Sequence, residues 1–192
     1  FKKNFKISLK NNYENLYFKV LNSGIKAEFS FNNFKNNISG VSKISILNNY
    51  LYSNFSIKEG FIEILDSSLR NKDLFVKIDS LIKFDPYFEV NSNINIKEID
   101  SNLISNLNLN KILKNREIIN KLNSNNKIFF NKKKLRNGLI NNFFLETQIA
   151  HGRLNSISII SIDGAVFKCK SESILTEKYP RIYFNCNLNI DN

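Results

Sequence analysis

The 192-residue sequence contains no methionine, one histidine, two cysteines, two prolines and six glycines. Each scarcity removes something. Without an initiator Met the chain reads as a piece of a longer protein, so leader and anchor segments are expected to lie outside it. The single histidine, His151, stands beside Gly152 in an expected surface turn, with no cysteine or evident carboxylate partner for acid–base work. Two cysteines without further Cys or His ligands argue against a metal centre. The few scattered glycines form no phosphate-cradling loop, and no serine lies in a nucleophile elbow. No uncharged run approaches the roughly 18 apolar residues of a membrane span. The carboxylate pairs Glu59 with Glu63 and Glu98 with Asp100 fall where acidic residues simply alternate outward. In a chain this rich in Asn and Ser, the acceptor patterns Asn37-Ile38-Ser39 and Asn54-Phe55-Ser56 arise by chance. No enzyme, cofactor or metal is expected.

What the chain has is charge and Phe. Its net charge is +11, with 17 Phe. A basic balance points towards nucleic acid or an anionic membrane. Here the basic residues are spread over the solvent-phase positions of many strands rather than gathered in one stripe. Lys, Asn, Ile, Phe and Tyr also share AT-rich codons, so coding bias is the simpler reading. The densest cluster, Lys132-Lys133-Lys134 with Arg136, lies in an Asn/Lys-rich connector.

The dominant pattern is alternation. From Phe88 to Lys97 the even positions are apolar or small and the odd positions are Glu, Asn and Lys, the period of a strand with one apolar and one wet face. The same phase marks Phe5-Ile7-Leu9, Leu16-Phe18-Val20, Ile25 to Phe31, Val41 to Leu47, Phe55 to Ile64, Leu74-Val76-Ile78, Ile82-Phe84, Phe144 to Ala150, Ser156 to Ile162, Ala165-Phe167-Cys169 and Ile182 to Ile190. Gly60 and Asp163-Gly164 mark turns. Near Asp100 the spacing becomes helical and stays so to about Leu122, with Asp100 or Ser101 as N-cap. Asn123 to Asn126 ends this stretch, and Lys127 to Phe130 is a short strand. The expected organisation is an N-terminal antiparallel β-meander over 1–100, a helical segment over 101–126, and C-terminal antiparallel strands over 127–192 continuing the same sheet.

Cys169 and Cys186 each occupy an apolar-phase position. They either pair across neighbouring strands in an oxidising compartment or serve as small buried hydrophobes. The long aromatic face is either covered by a second sheet or the helix, or it lines a groove that holds something apolar.

Three stretches resemble the C-terminal region of AsmA-like proteins. These are Asn54 to Asn71, with a Gly60 and Ile62 pattern leading to Ser67-Ser68-Leu69-Arg70 read as a turn; Leu74 to Asp100, centred on Ile82-Lys83-Phe84-Asp85-Pro86; and Ile160 to Gly164 followed by Glu177 to Phe184. Phe61 stands where that family usually has a polar residue. The resemblance implies a mainly β fold: a long curled antiparallel sheet forming a groove or half-barrel, with the helical interruption at about 101–123. It implies a periplasmic envelope protein anchored in the inner membrane by a segment not in this chain. The implied role is non-enzymatic carriage of phospholipid acyl chains between inner and outer membrane, with other envelope proteins as partners and no cofactor. On that reading Phe88, Val90, Ile94, Ile96, Phe184, Leu188 and Ile190 form the groove floor. The alternative is a structural or assembly factor in outer-membrane biogenesis whose sheet is filled by its own side chains. A nucleic-acid-binding β-domain would instead place Lys and aromatics on one face, whereas Lys here falls mostly opposite the aromatics.

Overall fold

In the structure, a computed structural model, residues 4–11, 14–34, 37–100, 121–131, 140–177 and 179–190 are described. Alternation over so many segments produces strands in series. They are β1 (Phe5–Lys10), β2 (Asn15–Val20), β3 (Ile25–Phe34), β4 (Asn37–Ile46), β5 (Asn49–Lys58), β6 (Phe61–Arg70), β7 (Leu74–Lys83), β8 (Glu89–Ile99), β9 (Asn123–Asn131), β10 (Ile140–Ala150), β11 (Arg153–Ile162), β12 (Ala165–Ile174) and β13 (Ile182–Ile190). All belong to one sheet in chain order. The fold is mainly β and mostly antiparallel, and the sheet is not closed into a barrel.

One junction breaks the meander. β8 and β9 run parallel, with Glu89 opposite Asn123 and Ile96 opposite Phe130. Parallel neighbours need a crossover of a dozen or more residues, and residues 100–122 supply that length where the strand period stops. The helix expected over 101–123 lies outside the described residues for 101–120. At its far end, Asn123 to Asn126 is already part of β9, so the strand begins four residues before the expected Lys127. Asn is a poor strand former, but here the parallel ladder to β8 recruits it.

Turn chemistry is local. Between Ala150 and Arg153 the two-residue loop is His151-Gly152, with φ of 50° and 73°. Positive φ at both central positions is what a type I′ hairpin requires, and its twist matches the flanking strands. His151 is exposed there. Ser67-Ser68-Leu69-Arg70, expected as a turn, is instead the second half of β6. The interruption is a bulge at Asp66, whose φ is 48°. The Asp66 amide donates to Oδ1 of Asp79 at 2.8 Å, so the strand shifts register and continues instead of reversing.

The sheet has little conventional core. Among the described residues the buried hydrophobics are Ala27, Val76, Phe130 and Leu175, and no large side chain is fully enclosed. The accessible surface is 14580 Å² for 22.3 kDa. A compact monomer of that mass exposes roughly 9,400 Å². A single layer is exposed on both faces and so has a large surface, and the substantial contacts of each described strand are with its neighbours in chain order.

Candidate functional site

Register decides which side chains share a face, and here it aligns one apolar row across the entire sheet. Ile7 lies opposite Phe18, Phe18 opposite Ala27, Ala27 opposite Ile44, and Ile44 opposite Leu51. The row continues through Leu69, Val76, Ile96 and Phe130, and then through Phe143, Ile160, Phe167 and Leu188. Every strand from β1 to β13 contributes one member, and every member is apolar. At about 4.8 Å per strand the row runs for roughly 58 Å perpendicular to the strands.

The expected floor residues fall on this face in two groups. Ile96 and Leu188 are members of the row. Val90 and Ile94 lie beside Ile96 on β8 and are half-buried. Val90 neighbours Ile82 and Ser124, and Ile94 neighbours Ile78 and Ile128. Phe88 precedes β8, is exposed, and packs its ring 5.9 Å from that of Phe84. Phe184 and Ile190 sit with Leu188 on the outer strand β13, where they are 73% and 68% exposed. Strands β9 to β12 separate the two groups. The apolar members on those strands, Phe130, Phe143, Ile160 and Phe167, were not singled out from sequence. Phe130, Ile160 and Phe167 fell within expected strands and Phe143 just before one, but only the pairing places all four in line with Ile96.

The face also carries a polar seam. Ser80 lies opposite Ser92, Ser92 opposite Asn126, Asn126 opposite Thr147, Thr147 opposite Ser156, and Ser156 opposite Ser171. Its groups satisfy one another: Ser80 and Ser92 share a hydrogen bond of 2.8 Å, Ser156 and Ser171 share another, and Asn126 Nδ2 donates to Ser124 Oγ at 3.2 Å. A third hydroxyl pair, Ser67 donating to Ser53 at 2.9 Å, is buried nearer the other end. Buried hydroxyls that pair cost far less than orphaned ones. Small serines between rows of Ile and Phe leave the larger side chains standing as parallel ridges.

Cys169 and Cys186 are opposite one another on the same face. They form a disulfide with Cα atoms 4.1 Å apart, which ties β13 to β12.

The opposite face is polar. Opposite charges meet across strands at Lys83–Glu89 (3.7 Å) and Lys127–Glu146 (3.6 Å), while Glu63 faces Lys58 and Glu98 faces Arg70. Glu63 and Glu98, read from sequence as acids that simply alternate outward, are thus each paired with a cation on the polar face. Separation of Lys from aromatics is incomplete. Lys10 covers the Tyr17 ring, Lys58 covers Phe61 and Arg70 covers Phe75, all on the polar face but on separate strand pairs. Among the described residues no group of three or more His, Cys, Asp and Glu could hold a metal ion, and no helix is long and apolar enough to cross a membrane. Comparison with protein-family models, with curated proteins and with solved structures finds no match to this chain.

Proposed function

We propose that the chain is a segment of an AsmA-like envelope protein that binds and carries phospholipid by its acyl chains, without catalysis, between the inner and outer membranes. The observation that supports this most is the apolar row through all thirteen strands, from Ile7 to Leu188, on a face that no second sheet of described residues covers. Soluble monomers tolerate exposed apolar patches of only a few hundred Å², so such a face calls for an occupant. An acyl chain suits it, since each methylene removed from water contributes roughly 0.8 kcal/mol and needs no polar partner. Transfer along the row then needs only repeated equivalent apolar positions. The periplasm, with an inner-membrane anchor beyond this chain, is the location this reading assigns. The Cys169–Cys186 bond accords with an oxidising compartment.

A second reading, a structural or assembly factor acting through protein partners, draws on β13. That outer strand is exposed along its whole length and carries no charge, which makes it open to strand addition.

Transfer of a fluorescent phospholipid between donor and acceptor vesicles separates the two. Ile96→Asp with Leu188→Asp places two charges in the row, whereas Asn187→Asp places one on the polar face. The lipid reading predicts that the first variant loses about tenfold or more in rate and the second keeps it. Equal rates in all three proteins would favour the assembly reading.

A further inference from the structure

Strand pairing brings together lysines that are far apart in sequence. Lys6 lies directly opposite Lys19, and Lys19 directly opposite Lys26. Three ammonium groups therefore stand in one row on the polar face of β1, β2 and β3, and all three residues are exposed. Like charges directly opposite one another destabilise a sheet. Elsewhere the chain avoids this: Lys83 is set against Glu89 and Lys127 against Glu146, each forming an ion pair. Among the described residues, none of the three lysines enters an ion pair with a carboxylate. They line a shallow concavity of about 240 Å³ together with Lys10, Tyr17 and Glu28. One carboxylate among four ammonium groups leaves the site strongly positive.

The edge beside it is unusual in a second way. Among the described residues no strand pairs with the outer side of β1, and its other face presents Phe5, Ile7 and Leu9, which are 64%, 55% and 51% exposed. The rim of the sheet thus shows cations on one side and large apolar side chains on the other. A strand with those two faces is suited to a bilayer interface, where apolar side chains enter the acyl boundary and lysines meet head-group phosphates. A nucleic acid fits less well. The row spans only about 10 Å across the three strands, too short to follow the many phosphates that such binding needs.

We propose that Lys6, Lys19 and Lys26 form an anion site that docks the β1 rim onto an anionic phospholipid surface. The site lies on the face opposite the apolar row, and the inference holds whether or not that row carries acyl chains.

Co-flotation of the 192-residue chain with phosphatidylcholine vesicles, with and without phosphatidylglycerol, tests it. The variant Lys6→Gln, Lys19→Gln, Lys26→Gln is compared with a charge-matched one, Lys77→Gln, Lys97→Gln, Lys168→Gln, whose exposed lysines lie on β7, β8 and β12. Both must retain the circular dichroism of the parent, which their exposed positions favour. The expected result is binding that requires phosphatidylglycerol and falls by up to about a hundredfold in the first variant, with a much smaller fall in the second. Equal losses in the two variants would mean general charge attraction and overturn the proposal. So would binding indifferent to phosphatidylglycerol. Displacement by millimolar inorganic phosphate at constant ionic strength would reassign the site to a free phosphate ligand. Preference for a duplex DNA competitor over vesicles would overturn the membrane in favour of nucleic acid.

Discussion

At the scale of single residues, the apolar face is governed by what each position can accommodate. Gly40 shows this best. It lies opposite Phe31 on β3 and Phe55 on β5, whose rings meet edge to face at 5.9 Å. A Cβ at Gly40 would press on the Ser30 carbonyl oxygen and approach Cζ of Phe55 to 2.8 Å. The glycine is therefore required by close strand approach, because the Ser30 carbonyl on β3 and the Phe55 ring on β5 occupy the space a side chain would take. Gly40→Ala is expected to cost about 1–3 kcal/mol, measured as a lower urea midpoint with unchanged slope. An unchanged midpoint would mean that β3 and Phe55 do not approach this position so closely in solution. The sequence pattern starts its strand at Val41, just after this glycine, and gives no sign of the close approach, because neither Ser30 nor Phe55 is near Gly40 in the chain. The same holds for Lys6, Lys19 and Lys26. Each sits at an ordinary solvent-phase position, and only register makes them a row. Val90, Ile94 and Ile96 were legible because their alternation is uninterrupted.

At the scale of elements, β13 stands apart. All nine of its residues are exposed, and its attachment to the sheet is one ladder plus one disulfide. Cys169 and Cys186 are 17 residues apart in sequence, and a loop of that size is stabilised by roughly 3 kcal/mol when closed. Reduction is expected to release β13 before anything else unfolds. Hydrogen exchange with and without a phosphine reductant checks this. Amides from Ile182 to Ile190 should lose protection on reduction, while those of β7 and β8 keep theirs. Equal protection in both states would mean that the ladder alone secures the strand. Sequence placed both cysteines in the apolar phase but left their pairing open, since pairing depends on the β12–β13 register, which alternation alone does not give. The parallel pairing of β8 with β9 was hidden for a related reason. A period of two does not say which strand lies beside which, and the change of period near Asp100 signalled a connection without its destination. The turn at Ser67 to Arg70 was implied by the family resemblance, whereas in this chain the strand is interrupted one residue earlier, by a bulge at Asp66, and then continues.

At the scale of the whole molecule, thirteen strands in chain order form one layer with a surface well above that of a compact monomer. That ratio follows from the sequence. Alternating strands bury one face only if something covers it, and the described residues provide no second sheet. The polar seam from Ser80 to Ser171 is self-satisfied, so the apolar row beside it is the part of the face that most needs an occupant. On the proposed reading, acyl chains fill this role. Native mass spectrometry with lipid extraction tests it most directly, applied to the chain purified from bacterial membranes in mild detergent. The account predicts phospholipid retained by the parent protein. It also predicts loss of that lipid from Val90→Asp with Ile94→Asp, with the β-rich circular dichroism preserved. A folded parent free of lipid, or a variant that retains as much as the parent, would contradict it.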